Sequence, residues 1–446
     1  MRDSSLPSTS LEDLQDRAVS RARRRLIPFL LLMYVISFLD RANIGFAKRA
    51  MQASAGISER AFALAAGLFF ISYALFELPS NLILHRVGAR VWMARIMVSW
   101  GLVSMATMFV AGSSSFYLLR LLLGAAEAGF FPGVILYLTY WFPRRVRGEI
   151  LGLFYFGAPL AFIFGGPVSG FLLQMHPHFG LQNWQWMFLV EGFAAVAVGL
   201  WAYWYLDNRP ADATWLPLEE KRALTGLLAR EQDEQRAHSP AQVLSLFGDA
   251  RVLEFALIYA LIQVSVYGAV FYLPSEVSAI LHRPAGIAVG LVSAIPWICA
   301  LAAAFCLPWL ADKFRAHRRL ASITLLTSGC ASLALPMVSP YVGLFALSIA
   351  IAGLIAAQPL FWTLPTSYLA GRTAAAGLAL INALGSVGGF IAPNVKVWAD
   401  QLFGSPRAGT FLLAGITILN AGLIALTATS KHQAKPKELP GDEQVI

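Results

Sequence analysis

The chain consists of long apolar runs separated by short polar breaks. The first, "LIPFLLLMYVISFL", covers residues 26–39 and continues to about residue 47. Many of the runs reach the roughly 20 residues that a helix needs to cross a bilayer. They are continuously apolar rather than alternating, as barrel strands would be. They therefore predict helices, whose backbone polar groups are satisfied within the segment. Twelve spans follow from this pattern. Six are at 26–47, 61–84, 91–111, 116–141, 148–174 and 184–206, and six at 251–281, 285–311, 318–337, 341–364, 372–403 and 406–429.

The longest polar gap, 207–250, divides six spans from six. The predicted organisation is an N-terminal segment 1–25, a six-helix bundle 26–206, a linker 207–250, a second bundle 251–429 and a tail 430–446. Six-plus-six duplication is a known transporter plan. "PLEEKRALTGLLAREQ" in the linker can form an amphipathic helix, on the membrane surface or in solvent. The segment before residue 26 is too long and polar for a signal peptide's charged region, so the first span is expected to be retained.

Composition agrees with a membrane protein: 57% of residues are hydrophobic and 13% charged, against about 25% charged in soluble domains. The net charge of +9 invites a nucleic-acid reading, but the positions of the charges argue against one. Arg21, Arg23, Arg24 and Arg25 precede span 1. Arg86 and Arg90 follow span 2, and Arg144, Arg145 and Arg147 follow span 4. Lys313, Arg315, Arg318 and Arg319 follow span 8, and Arg372 follows span 10. Most alternate loops lack Lys and Arg, with Lys48, Arg49 and Arg60 the exception. This positive-inside pattern places both termini in the cytoplasm.

Cys299, Cys306 and Cys330 have no metal or disulfide spacing and read as small apolar packing residues. His176 and His178 fall in a loop and read as solvated. No phosphate-binding GxxxxGK[ST] loop and no Ser/His/Asp pattern is present, so neither ATP drive nor enzyme chemistry is expected. The site needs no cofactor or metal.

Charges inside the apolar runs carry the functional signal. Asp40 and Arg41 lie side by side in span 1, about 21 Å from Leu26 along a helix. Span 4, "YLLRLLLGAAEAGFFPGVILYLTYW", holds Arg120 and Glu127, nearly two turns apart on one face. A charge at the bilayer centre costs about 2.5–3.5 kcal/mol on insertion scales. The cheaper arrangement has all four meeting in a wet central cavity. A guanidinium grips a carboxylate in two-pronged fashion, and a carboxyl released from its Arg takes up a proton more readily. Anion and proton would then favour each other's binding.

Weaker candidates are Tyr73 in span 2, Gln263 in span 7, Trp362 and Thr363 in span 10 and Asn382 in span 11. Each has a plain packing alternative. Glu77 is expected to pair near the interface, with Arg95. Glu191, Glu276 and Asp400 lie toward the outer side and receive no role.

Two loops, "NLILHRVGAR" and "PWLADKFRAHRR", resemble degenerate copies of the cytoplasmic loop motif of the major facilitator superfamily. Arg86, Gly88 and Arg90 belong to the first copy, with His85 at its acidic position, and Asp312 and Lys313 to the second. Their expected role is a structural latch. "RRLIPFLLLMYVISFLDRANIGFA", "LRLLLGAAEAGFFPGVILYLTYWFP" and "FWTLPTSYLAGRTAAAGLALINALGSVGGFIAP" further resemble the anion:cation symporter family of that superfamily, over about residues 20–430. The resemblance implies an all-α fold of twelve transmembrane helices and proton-driven uptake of carboxylates across a bacterial inner membrane. It implies Asp40 and Glu127 as the protonatable pair and Arg41 on the substrate carboxylate, with Arg120 modulating Glu127 and also touching substrate. Tyr73, Gln263, Trp362 and Asn382 fall where some relatives place substrate contacts. Phe38 stands where sugar-acid carriers tend to have Tyr, which puts tartrate-like or aromatic acids ahead. The partners implied are a small organic anion, protons and the lipid bilayer, without nucleic acid, and the chain is expected to be a monomer. A sugar-acid symporter, an anion exchanger and a membrane sensor are the alternatives. A sensor would be expected to carry a sizeable soluble domain, which neither the linker nor the tail supplies.

Overall fold

A computed structural model describes residues 10–175, 180–233, 248–369 and 374–427. His176, His178, Arg372, the linker residues 234–247 and the tail 430–446 lie outside the described residues, as does the side chain of His85.

Among the described residues, eleven helical stretches are long and apolar enough to cross a membrane. The remaining span of the twelve, eleventh in chain order, is α14, Ala374–Leu402. The first half comprises α1 (Leu11–Ala55), α2 (Glu59–Val87), α3 (Ala89–Ala106), α4 (Ser113–Glu127), α5 (Phe130–Trp141), α6 (Arg144–Tyr155), α7 (Gly157–Gln174) and α8 (Asn183–Tyr205). The linker contains α9 (Leu218–Asp233). The second half comprises α10 (Ala250–Leu281), α11 (Ile287–Phe314), α12 (His317–Ala334), α13 (Pro340–Tyr368), α14 and α15 (Ala408–Leu426).

The packing repeats between halves. In the first, α3 lies on α8, α2 on α4 and α1 on α7; in the second, α12 lies on α15, α11 on α13 and α10 on α14. The loop copies follow the same symmetry. Arg90 at the start of α3 donates from its backbone N–H to Asn208 Oδ1 at 3.0 Å and from its guanidinium to the Tyr203 carbonyl, beyond and at the end of α8. Arg318 at the start of α12 donates to the Thr427 carbonyl at the end of α15, at 2.6 Å. Gly88 turns at φ 96°, and a Cβ there would meet Asn208 Oδ1 at 2.8 Å. Arg86 is exposed. Asp312 bonds His317 at 2.8 Å within its own turn, and Lys313 lies over the Trp309 ring.

Two spans differ from a simple reading of the apolar runs. The polar stretch 11–25 is not separate from span 1. It belongs to α1, whose 45 residues amount to about 68 Å, far beyond a bilayer core. Ser10 and Asp13 cap it reciprocally, at 3.1 and 3.3 Å. Ala18, Val19 and Ala22 are buried on this projecting part, and α9 packs beside it. Arg21 pairs there with Glu220 at 2.9 Å. The linker helix is thus docked on protein through Ala223, Leu224 and Leu228, all buried.

Span 4 is two helices, α4 and α5. Pro132 has no N–H for the carbonyl four residues back and its ring crowds that carbonyl, so the helix stops at Ala128. Gly129 turns the chain at φ 84° and starts α5. Glu127 is the last residue of α4. Cys299, Cys306 and Cys330 are exposed rather than packed inside.

The halves meet through α7 against α11, α2 against α14 and α1 against α10. Contacts run from mid-membrane toward the face away from α9. They include Phe162 stacked on Trp297 at 3.9 Å, Arg49 donating to Ser278 at 3.2 Å, and an Arg60–Gln401 hydrogen bond. Lys48 of α1 and Lys396 of α14 each sit 4.5 Å from the ring centre of Tyr272 of α10. The basic residues that broke the charge alternation are therefore spent on closing this face. Glycines bring α7 and α11 into backbone contact: a Cβ on Gly290 would lie 2.2 Å from the Gly166 carbonyl oxygen, and one on Gly170 2.4 Å from that of Gly286. Small-xxx-small spacing of this kind lets membrane helices approach closely. Gly290→Leu should prevent this face from closing. With the native cysteines replaced by Ser, labelling of Ser278→Cys by a membrane-impermeant maleimide is expected to rise several-fold over the same cysteine without the Leu.

Candidate functional site

The four intramembrane charges do come from α1 and α4, but they do not all face one way. Residues adjacent on a helix point about 100° apart, and Asp40 and Arg41 separate accordingly. Arg41 turns toward α4 and donates from Nε and Nη2 to Glu127 Oε1, at 3.0 and 2.6 Å. Its Nη1 reaches the Tyr267 hydroxyl of α10 at 3.4 Å. The guanidinium lies over Phe38, Phe69 and Tyr73, 4.9–5.3 Å from their ring centres. Glu127 is 1% exposed and the Arg41 side chain 12%.

Glu127 is placed by the break in span 4. As the last residue of α4, it sits at the negative end of that helix dipole, which favours a cation beside it. Tight packing on α2 fixes the helix, since a Cβ on Gly124 would fall 2.2 Å from Phe69 O and Ser72 Oγ. Arg120, two turns earlier, is 3% exposed and lies against the Phe69 ring at 4.9 Å. Its Nε and Nη2 are buried and have no hydrogen-bond partner. A buried guanidinium with open N–H groups is costly unless an acceptor arrives. Both arginines thus flank one aromatic ring, one held by a carboxylate and the other unfilled.

Asp40 turns into the first bundle. It accepts from Trp100 Nε1 at 2.7 Å and from Ser104 Oγ at 2.8 Å, both on α3. Asn43, one turn along α1, donates to Asp40 Oδ1 at 3.3 Å and to Glu191 Oε2 at 2.8 Å. Ser169 of α7 donates to Glu191 Oε1 at 2.7 Å. The expectation that Asp40 would meet the other three charges in a shared cavity is corrected: its hydrogen-bond partners are interior groups of α1 and α3.

Of the weaker candidates, Tyr73 is at the site. Gln263 packs toward Gly388 of α14, its Oε1 buried without a partner; the α10 residue that touches Arg41 is Tyr267, one turn on. Trp362 joins a cluster with Tyr259 and Phe361, ring centres 4.8 and 5.5 Å away. Thr363 bonds back to the Leu360 carbonyl. Asn382 is half-buried on α14, where its carbonyl accepts from Ser386. Arg95 stacks on Trp92 at 3.8 Å and bonds Ser99, in place of the expected pairing with Glu77. Tyr267 escaped the sequence reading, and Glu191 was named there without a role. A neutral aromatic in an apolar run gives no signal. Glu191 did give one, a lone acid within "NWQWMFLVEGFAAVAVGL".

These features define a multi-pass membrane protein with a polar site buried between helices. The model of the Major Facilitator Superfamily matches residues 30–393, and the chain belongs to that superfamily, as its resemblance to the anion:cation symporters implied. It is 43% identical over 411 residues to the inner membrane transport protein RhmT of Escherichia coli, covering 92% of this chain and 95% of that one. It is 40% identical over 425 residues to a putative tartrate transporter of Agrobacterium vitis, covering 95% and 94%. The inward-open xylose transporter XylE of E. coli superposes with a TM-score of 0.76 at 14% identity, over 92% of this chain and 98% of that one. The chain is a transporter, not an enzyme.

Removing one partner of a buried ion pair strands the other charge, at a cost of about 3–5 kcal/mol. Arg41→Ala should therefore lower the melting temperature of the purified protein, and Arg41→Ala/Glu127→Gln should recover most of the loss.

Proposed function

We propose that the protein imports a small organic carboxylate across a bacterial inner membrane by proton symport with alternating access. The observation that carries this reading is the unfilled guanidinium of Arg120 beside the Arg41–Glu127 pair. A substrate carboxylate supplies the acceptor that Arg120 lacks. It also competes with Glu127 for Arg41, since two-pronged carboxylate binding is the chemistry of both. Glu127 freed from Arg41 inside a dry site is costly as an anion and takes up a proton. Substrate and proton then enter as a coupled pair, and the coupling is reciprocal. Glu127 and Asp40 act as the protonatable groups, Arg41 and Arg120 as the anchors. No driving species beyond protons is required.

Phe38, Phe69 and Tyr73 give the guanidinium of Arg41 an aromatic surround with one hydroxyl. Such a surround suits a compact or flat acid better than a hydroxyl-rich sugar acid, and the relative named as a putative tartrate transporter supports a tartrate-like substrate. Gln263, Trp362 and Asn382 on the second half remain substrate contacts for the state in which the halves close around the ligand. The positive-inside rule assigns the α9 face, with both termini, to the cytoplasm, and the closed face to the outside. The latch residues Arg86, Gly88, Arg90, Asp312 and Lys313 then lie on the cytoplasmic side, holding neighbouring helices in register. One chain forms the whole pathway, and it acts as a monomer.

Thermal-shift measurements against a panel of carboxylic acids test the substrate assignment. One small class of acids should stabilise the protein, more strongly at low pH; no response to any acid overturns the assignment. In proteoliposomes, Arg41→Ala should abolish binding. Glu127→Gln should retain substrate exchange and lose proton-driven accumulation. If accumulation survives, Glu127 does not couple the proton.

A further inference from the structure

The cluster on the far side of α1 holds two carboxyls that the anion site does not use for substrate. Asp40 is 3% exposed, Asn43 0%, Ser169 0% and Glu191 2%. They come from α1, α7 and α8, so three helices of the first bundle contribute to one dry polar core. One amide nitrogen, Asn43 Nδ2, bridges the two carboxyls, at 3.3 Å to Asp40 and 2.8 Å to Glu191.

Charge does not balance across this interior. Around the anion site and the cluster stand the guanidiniums of Arg41 and Arg120 and the carboxyls of Asp40, Glu127 and Glu191. Arg41 is engaged by Glu127. Arg120 acts on Asp40 and Glu127. On Glu191, the charged group that acts is Asp40; its other partners are Ser169 and Asn43. Asp40 in turn faces Trp100 and Ser104 of α3 and the charges of Arg120 and Glu127 on α4. Lys48, further along α1, is paired with Glu59, and Glu77 of α2 is half-buried. Two cations against three carboxyls leave one negative charge uncompensated where burial penalises it heavily.

We propose that Asp40, Asn43 and Glu191 form one proton-holding unit. Its two carboxyls, each accepting from the same amide nitrogen, titrate as a coupled pair that holds one proton between them, and the charge on Glu191 sets when Asp40 takes it up and releases it. No bond other than O–H forms or breaks, and the proton comes from and returns to water. Glu191 is a positioning residue in this unit: it touches no substrate and acts through Asn43. The proposal rests on the proton-symport reading for its consequence in transport, while the shared proton itself stands on the geometry of the cluster.

The test has two arms, using the full-length protein in lipid. Infrared difference spectra between acid and alkaline pH report protonated carboxyls directly, without transport. The wild type should show a carboxylic C=O band that is lost at alkaline pH, and Glu191→Gln should remove part of it. In proteoliposomes, Glu191→Gln leaves Asp40 without its negative neighbour. The alkaline limb of proton-driven accumulation should then move to lower pH by about one unit, the coupling typical of carboxyls sharing a site. A merely structural Glu191 would change yield or melting temperature and leave the pH profile in place. An unmoved profile together with an unchanged infrared band overturns the proposal. Should Glu191→Gln fail to fold, a wild-type spectrum without a pH-sensitive carboxylic band overturns it equally. Absence of proton-driven accumulation in the wild type strikes the symport reading instead, and the infrared arm still decides whether the proton is shared.

Discussion

The ion pair between Arg41 and Glu127 governs the arrangement of the first half. A buried pair of opposite charges tolerates little change in geometry, because its attraction must repay the loss of water around both ions. The pair therefore fixes the rotation of α1 and of α4 about their own axes. With Arg41 committed to α4, Asp40 can face nowhere but the bundle interior, where Trp100 and Ser104 supply it with donors. With Glu127 committed to α1, Arg120 on the same side of α4 is turned toward Phe69 and finds no carboxylate of its own. One contact thus leaves one guanidinium open and sends one acid inward. These are the two features from which an anion carrier with a proton requirement can be built.

Much of this was legible in the chain before any coordinates. Long apolar runs have few solutions in lipid, and they gave the helical spans. The cost of intramembrane charge singled out Arg41, Arg120, Glu127 and Asp40, and Arg41 did meet Glu127. The direction in which each charge points was another matter. The 100° step between neighbours says that Asp40 and Arg41 diverge, without saying which of them meets α4. Tyr267 was invisible because a tyrosine in an apolar helix has no cost to explain. Glu191 was set aside by its depth in the membrane, when the useful question was whether any cation could reach it.

Local chemistry also outweighed average hydropathy at two places. Span 4 reads as one continuous apolar helix, yet the missing N–H of Pro132 cuts it beside its most consequential residue. The stretch 11–25 is polar enough to be read apart from span 1. It is helical because α9, some 200 residues further on, offers an apolar stripe for it to lie against. Periodicity within one segment cannot reveal a partner that distant.

The length of α1 has a consequence for how events inside the membrane are felt outside it. The helix that carries Arg41 runs as one helix, Pro28 included, from the closed face to the docking surface of the linker helix. A rod of this kind transmits torque. A few degrees of roll at the Arg41 end is felt at α9, the only described α-helix between the two bundles in sequence. The linker helix can thereby register, through its contact with α1, a rotation that begins at the buried ion pair.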